Sequence, residues 1–376
     1  MFDLTSLIYA FVVGFGIFGL DAAWNATTVK TDFIVSDTLG SAGIKPEFAT
    51  VVFAREMQEL FSTPSLVRAP SVRSSHDKTF VSILADSMGF KNATAAFQDL
   101  FGMEPVAIIA TLTTEGSLPR LEVVGEAGSR GTFYLSLESE AGENTVSLIR
   151  RGAVEAAIHL DPYHAALYLL DPPKGDPDVE RARPVLDRAL AAQAGGAISA
   201  DRARLRNLRG IVALLDNDKK LAATLFEQAI ADDPELAPAH LNLAFTRVEQ
   251  DRYADAAMIA RRVLESRHRA LLPPLVASAH SVNGIVAWRQ KQYQAAERHF
   301  AAAAKAEPTV SDAYFYWGKM LSSIGQTEEG AKLTRQAEVN MSLFENYPEV
   351  AQLYFWMTVE DNVPLQRRPR GKGSVR

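Results

Sequence analysis

The pattern of hydrophobic and polar positions changes twice along the chain. Residues 4–20 form an uncharged apolar run, close to the lower limit of about 17 residues for a membrane-spanning helix. From residue 26 to residue 140, short β-branched runs alternate with helical periodicity. From residue 141 to residue 341, apolar residues recur every three or four positions. The pattern predicts a membrane anchor, a small α/β domain and a long helical array.

The anchor is predicted over residues 1–25, as one N-terminal transmembrane helix. No basic residue precedes the apolar run and no A-x-A site follows it, so a cleaved signal peptide is disfavoured. Trp24 stands where an aromatic side chain meets a membrane interface. We expect a single-pass protein of the inner (cytoplasmic) membrane. The rest of the chain is expected in the periplasm rather than the cytoplasm, although few basic residues flank the run to orient it.

A competing interpretation concerns three glycines within the same run. Gly14, Gly16 and Gly19 match G-x-G-x-x-G, in which glycines let a backbone approach a dinucleotide pyrophosphate. A nucleotide-dependent enzyme would follow. The helix that should come next is short and rich in Asn and Thr, and we find no further strand–helix–strand alternation downstream. Small residues of a membrane helix are the favoured explanation.

The α/β domain is predicted over residues 26–140. We expect a strand at 28–35, a helix at 46–61 that opens with Pro46, a short strand at 65–72 and helices at 79–88 and 93–101. A three-stranded meander is expected at 106–113, 120–125 and 132–138, with turns near Gly116 and Gly128. This order resembles the small α/β domains near the start of several bacterial envelope proteins. A ligand sensor built on this domain is a further alternative.

Two polar clusters suggest chemistry. Ser75, His76 and Asp77 are the residue types of a catalytic triad, but sequence neighbours point apart, and a solvated turn before a helix is favoured. His159, Asp161 and His164 are possible metal ligands, for which an Asp-Pro corner between helices is the simpler explanation. No enzyme activity, metal or cofactor is therefore expected.

The helical array contains a repeated set of small, aromatic and proline residues. Two segments of 34 residues, 203–236 and 277–310, carry the full set at the same internal offsets. A small residue in a first helix lets the second helix cross closely, and the proline ends the pair. The defining residues are Gly210, Ala222, Phe226, Ala229, Pro234, Gly284, Ala296, Phe300, Ala303 and Pro308, with Ala244, Ala256, Gly318 and Ala337 in the intervening and final units.

This pattern resembles the tetratricopeptide repeat family, with an α-solenoid of helical hairpins. Gly210 to Ala244 and Gly284 to Gly318 are each 34 residues, whereas Ala244 to Gly284 is 40, which places an insertion near residues 267–274. The family's large first-helix aromatic is replaced by polar residues in three units, and the last unit has glycine and threonine where alanine and phenylalanine are expected. These departures are Arg206, His240, His280, Gly330 and Thr334.

The resemblance implies a partner-binding groove on the first helices. Its lining is mixed to apolar, without a lysine–asparagine clamp for an acidic peptide terminus, so an apolar or helical segment of another protein is the expected partner. By the family's geometry the groove comprises Asn207, Ile211, Leu214, Leu241, Phe245, Val248, Ile285, Trp288, Phe315 and Lys319. Some of these residues could equally belong to the hairpin core.

Composition narrows the function class. The net charge of −6 and the absence of cysteine argue against a nucleic-acid partner, disulfides and thiolate chemistry. Residues 342–360 are predicted to form a capping helix, and residues 361–376 a basic disordered tail. The sequence therefore predicts a mostly α protein that acts as a membrane-anchored scaffold or adaptor in a bacterial envelope complex, contacting proteins through its repeats and the membrane through its first helix.

Overall fold

The fold was analysed in a computed structural model that describes residues 28–67, 73–74, 106–116, 118–126, 131–171, 177–193, 199–265, 273–343 and 350. By its contacts the chain divides into two compact units. The first comprises Met1–Thr63 and Pro70–Ala165, and the second comprises Pro64–Ala69 and Ala166–Arg376. Each unit has its own core.

The first unit is built on a mixed five-stranded sheet of order β2-β1-β3-β4-β5. Strand β1, second in this order, lies parallel to β2 and β3, and β3, β4 and β5 form an antiparallel meander. The predicted meander is confirmed, but it is not a separate three-stranded element because β1 extends it. The strands are β1 (Thr28–Val35), β2 (Arg73–Ser74), β3 (Val106–Glu115), β4 (Leu118–Glu126) and β5 (Thr132–Glu138).

One face of the sheet carries two helices. These are α2 (Pro46–Phe61), which begins with the predicted proline, and α3 (Thr145–Leu160). A short helix, α1 (Asp37–Ser41), connects β1 to α2. The rings of Phe33 and Phe53 meet edge to face with centroids 5.5 Å apart, which joins α2 to β1. His159 of α3 stacks on Phe133 of β5 at 5.1 Å.

The position of α3 differs from the expected start of the helical array at residue 141. This helix packs against α2 and against β4 and β5, so it completes the sheet domain. Helical periodicity reports that a helix has one apolar face, and it does not report whether that face meets a sheet or another helix. The predicted boundary after residue 140 is therefore displaced by a helix in the structure.

The predicted strand at 65–72 also differs. Residues 65–67 are not extended in the sheet, and the strand that pairs with β1 is only Arg73–Ser74. The apolar side chains of Leu66 and Val67 pack with the second unit instead. The structure also corrects the expectation that no strand–helix–strand unit follows the N-terminal glycines, because β1, α2 and β2 form a parallel crossover.

The second unit is a succession of antiparallel helical hairpins. Helix α4 (Pro162–Leu170) contains the division at Ala165, and α5 (Val179–Ala192) follows it, both within the range 141–341 that was predicted as helical. Four hairpins then follow, each a first helix and a second helix. They are α6 (Ser199–Leu215) with α7 (Lys219–Asp232), α8 (Ala237–Glu249) with α9 (Tyr253–Glu265), α10 (Pro273–Arg289) with α11 (Tyr293–Ala306), and α12 (Ser311–Ser323) with α13 (Thr327–Leu343).

Several predictions fall on residues outside the described ranges. These are the anchor at 1–25 with Gly14, Gly16 and Gly19, the turn at Gly128, the polar run at 75–77, the helices at 79–88 and 93–101, the capping helix at 342–360 apart from residues 342, 343 and 350, and the tail at 361–376. Within the ranges that the structure describes, none of the helices combines the length and the apolar character needed to cross a bilayer.

Candidate partner-binding surface

The hairpins share one crossing contact between residues 16 positions apart. A Cβ atom placed on Gly284 would lie 2.6 Å from the Phe300 ring, and Gly210 faces Phe226 in the same way. Both phenylalanines are fully buried. In the second hairpin Ala244 and Ala260 occupy the equivalent positions, both buried in a shared core cluster. The helical part of the chain therefore has the tetratricopeptide type of hairpin that its pattern predicts.

The two helices of the last hairpin also cross closely, but smaller residues form the contact. A Cβ atom on Gly318 would lie 2.6 Å from both the carbonyl oxygen of Gly330 and the hydroxyl of Thr334. The Thr334 hydroxyl donates to the Gly330 carbonyl at 3.0 Å. The glycine and threonine that depart from the family pattern are thus the residues that let the two backbones approach each other.

The turn inside each hairpin places one residue in the left-handed region. The φ angles are 60° at Asn217, 57° at Asp251, 61° at Lys291 and 90° at Gly325. In each turn the following amide donates to a carbonyl five residues earlier, as in Gln292 to Ala287 at 2.8 Å. The shared geometry shows that the four hairpins repeat in backbone conformation as well as in side-chain pattern.

The polar residues at the first-helix aromatic position have specific partners. Arg206 pairs with Asp232, whose carboxylate also receives two hydrogen bonds from Arg202 at 2.7 and 3.0 Å. These guanidinium groups, chiefly that of Arg202, lower the pKa of Asp232. The Nε2 atom of His240 lies 2.8 Å from the Pro234 carbonyl oxygen, which accepts a hydrogen bond from it. Burial lowers the pKa of His240.

The third hairpin holds a pair of histidines. The Nδ1 atoms of His280 and His299 lie 3.4 Å apart, on α10 and α11. Burial lowers the pKa of His299, and the nearby charge of Arg298 acts in the same direction. Polar side chains therefore replace the family's aromatic residue by joining the helices of a hairpin, or a helix to its corner.

Most of the predicted groove residues are core. Asn207 lies in a buried contact and not in an open groove. Its Oδ1 accepts a 2.8 Å hydrogen bond from Asn242 on the next first helix. Only Trp288 and Lys319 are partly exposed. The buried predicted residues are Asn207, Ile211, Leu214, Leu241, Phe245, Val248, Ile285 and Phe315.

Trp288 and Lys319 lie on neighbouring first helices. The Trp288 indole donates to the Ser323 hydroxyl at 3.2 Å, and the Arg289 guanidinium lies 5.3 Å from the Trp288 ring centroid. The Lys319 ammonium lies 4.9 Å from the Phe315 ring centroid. This part of the surface combines one partly exposed aromatic side chain, Trp288, with two cationic side chains, and Trp and Arg are enriched in protein-contact sites. We name Trp288, Arg289 and Lys319 the tryptophan patch.

Sequence reasoning missed two residues that precede the repeats and pack on their first helices. Leu66 packs on a cluster that contains Leu241 and Val350, and Val67 packs on a cluster that contains Ala239. The signal available in the sequence was the short apolar run after Pro64, which has the same appearance as an edge strand. Its contacts with the repeats are more than 100 residues away in sequence.

The open face of the sheet in the first unit carries an apolar row. Ile109, Val124 and Tyr134 lie side by side on β3, β4 and β5, and they are 51%, 42% and 60% exposed. The Tyr134 hydroxyl donates to the Glu122 carboxylate at 3.1 Å, beside the row. We name Ile109, Val124 and Tyr134 the sheet row. A row of this kind, with a polar border, is typical of a surface that contacts another protein segment.

The polar cluster at the end of α3 has a structural role. Asp161 accepts from the backbone amide of His164 at 3.2 Å and contacts its Nδ1 atom at 3.1 Å, and both side chains are fully buried. The His159 ring stacks on Phe133 instead and is not part of this pair. Across the described ranges, three or more metal-ligating side chains are nowhere gathered into a site. The predicted Asp-Pro corner is what the structure contains.

Comparisons with known proteins add a partial likeness. Neither a protein-family model nor a curated protein matches the chain. The crystal structure of MamA is 16% identical over 43% of this chain and 88% of its own, with a TM-score of 0.33. YrrB, described as a TPR protein with an unusual peptide-binding site, is 21% identical over 50% of this chain and 91% of its own, also with a TM-score of 0.33. The hairpin assignment made above rests on the contacts of this chain.

Proposed function

We propose that the protein is a scaffold whose repeats hold a protein partner. The observation that carries the proposal is the run of four hairpins, in which one glycine–aromatic or small-residue crossing recurs at a fixed offset. Such arrays present extended surfaces made of consecutive first helices, and binding is their usual use. The tryptophan patch supplies the aromatic and cationic groups on that surface.

The proposal includes a bilayer and a second contact. Residues 1–25 anchor the chain to the inner membrane, with the remainder in the periplasm, and the setting is the assembly or maintenance of an envelope complex. The uncharged run at 4–20 supports the anchor. The sheet row supports a second protein contact, because it leaves three large apolar side chains at the surface of the α/β domain. No catalytic step is assigned.

The test uses the full-length protein in its native cells. Membranes are separated from soluble material, the protein is extracted with detergent, and co-purifying proteins are identified by mass spectrometry. We expect membrane retention and a reproducible partner set that is reduced at least tenfold by W288A/K319A. The control is M258A on the second helix α9, where Met258 is 62% exposed. A soluble protein without partners would contradict the proposal and direct attention to cofactor binding by Gly14, Gly16 and Gly19.

A further inference from the structure

The first helices of the middle repeats are buried on every side. All residues from Pro238 to Val248 of α8 are buried, and α10 buries residues on all of its faces as well. In a hairpin array, a first helix is covered by its own second helix and by its neighbours along the array, which leaves one face for a partner. The remaining face of α8 is therefore also covered.

Part of that cover is the segment Pro64–Val67. Leu66 packs on the cluster that contains Leu241 of α8, and Ala237, one turn before Leu241, borders the same cluster. The same cluster includes residues from the end of α9 and the start of α10. They are Val263, Leu264, Leu275 and Ala279.

Val67 enters the neighbouring junction. It packs with Ala203 of α6, Ala229 of α7, and Leu236 and Ala239 at the start of α8. Leu66 and Val67 lie in a bend of the chain, and these two neighbouring side chains pack on two different clusters, one with Leu241 and one with Ala239. The Ser65 hydroxyl oxygen accepts a hydrogen bond from the Val67 backbone amide at 3.3 Å, which helps to fix this local conformation.

The cluster that receives Leu66 also receives Val350, which is only 4% exposed. Two points of the chain, one before the repeats and one after them, thus meet on the same small apolar site. The apolar side chains of the two junctions are Leu, Val, Ala and Ile. Such a lining suits an apolar segment of modest side-chain size.

We propose that Pro64–Val67 is a built-in ligand of the first-helix surface, and that this surface accepts apolar peptides with an adjacent Leu-Val pair. The inference deepens the proposed scaffold function and rests on it, because it names the segment that a partner must displace at α8. Because the segment belongs to the same chain, it competes as an intramolecular ligand against any free partner. A partner therefore binds weakly until the segment leaves.

Placement of the segment is tested by thiol protection. The chain has no cysteine, so Leu66→Cys and, separately, Val51→Cys each introduce one thiol. Val51 is 56% exposed on α2 and serves as the matched control. We expect the thiol at position 66 of the folded full-length protein to react with a maleimide at least tenfold more slowly than the thiol at position 51, with equal rates in denaturant. Equal rates in the folded protein would overturn the proposal.

Binding of the peptide is tested separately. A fluorescent peptide of residues 62–70 is titrated into wild-type protein and into the full-length L66S/V67S variant. We expect at least tenfold tighter binding to the variant, since its own segment no longer occupies the junctions. A peptide with the L66D and V67D changes should bind neither protein. Equal affinity for the two proteins, or binding to neither, would overturn the proposal.

The outcomes separate this inference from the proposed function. If the partner set from native cells persists while the peptide binds neither protein, only the built-in ligand is wrong. If the peptide binds the variant but no partner is recovered from cells, the scaffold function is wrong and the apolar site stands. Circular dichroism of L66S/V67S establishes that its helices are intact, and the thiol measurement decides the matter should they be lost.

Discussion

Gly284 and Phe300 are in such close contact that a single methyl group cannot be inserted between them. A Cβ atom at Gly284 would lie 2.6 Å from the Phe300 ring, which is fully buried and surrounded by α10 and α11. Carbon atoms in contact are normally about 3.5–4.0 Å apart. The glycine is therefore required by packing, in a helix where alanine would otherwise be preferred.

The first prediction is that Gly284→Ala destabilises the protein. Overpacking typically costs about 1–3 kcal/mol, which exceeds the gain of about 1 kcal/mol in helix propensity. Urea unfolding followed by circular dichroism gives the free energy of unfolding. Gly40→Ala is the control, because nothing lies within 4 Å of a Cβ atom there. A G284A variant as stable as wild type would show that the two helices are not in this contact.

The second prediction concerns the hairpin turns. Lys291 has a φ of 61°, a region that costs an L residue about 1–2 kcal/mol and costs glycine little. Lys291→Gly should therefore raise the melting temperature, and Lys291→Ala should leave it nearly unchanged. Gly325, with a φ of 90°, occupies the equivalent turn, so Gly325→Ala should lower it. Thermal unfolding measures all three, and equal shifts for the glycine and alanine variants would contradict the assigned turn geometry.

The third prediction is a loss of stability in mild acid. Burial lowers the pKa of His240 and His299 in the folded protein below the value of about 6.5 expected after unfolding. Below that pH the unfolded chain binds more protons than the folded one. Stability is thus complete well above pH 6.5 and falls as the pH drops through 6.5 towards the folded-state values.

Melting temperatures between pH 8 and pH 5.5 measure this effect. The H240Q/H299Q variant should show a smaller decrease over the same range, because glutamine does not titrate. For each protein, the decrease is measured from its own melting temperature at pH 8. Identical slopes for the variant and the wild type would assign the pH dependence to other groups.

The fourth prediction uses the amide pair between α6 and α8. Asn242 donates to Asn207 at 2.8 Å, and both side chains are buried. Asn242→Leu alone should cost about 1–3 kcal/mol because it leaves a buried amide without this partner. The double variant N207L/N242L should recover much of that loss, since two apolar side chains can replace a buried polar pair. Urea unfolding of wild type, N207L, N242L and the double variant measures the coupling, and additive losses from the two single substitutions would contradict it.

The repeats could be predicted from sequence because their determinants are local. Gly284, Phe300 and Pro308 lie within one hairpin, so their spacing alone specifies the crossing and the corner. The first-helix surface could not be predicted in this way. The family pattern assigns Leu241 to an open groove, but Leu241 is fully buried in a cluster on which Leu66 packs, and no local rule connects residues so far apart in sequence.

The sheet domain shows the same limit. The strands from β3 to β5 are linked by short connections and were predicted, whereas the pairing of β1 with β3 joins residues about 75 positions apart. Helix α3 was predicted to belong to the helical array, whereas it packs on the sheet. The sequence does not distinguish the two, because amphipathic helices that pack on sheets and on helices have the same periodicity. Long-range contacts, rather than the elements themselves, were what the sequence left undetermined.

The last prediction concerns the sheet row, which we propose as a second protein contact. Val124→Lys places a charge in the middle of the row, where desolvating it would oppose any apolar partner. Because Val124 is 42% exposed, the substitution should change the free energy of unfolding by less than about 0.5 kcal/mol. We expect one subset of the co-purifying proteins to be lost, and the subset that depends on the tryptophan patch to remain. Thr132→Lys, at an exposed position of β5, controls for the added charge. An unchanged partner set in V124K would exclude the sheet row as a contact, while the repeats could still act as the scaffold.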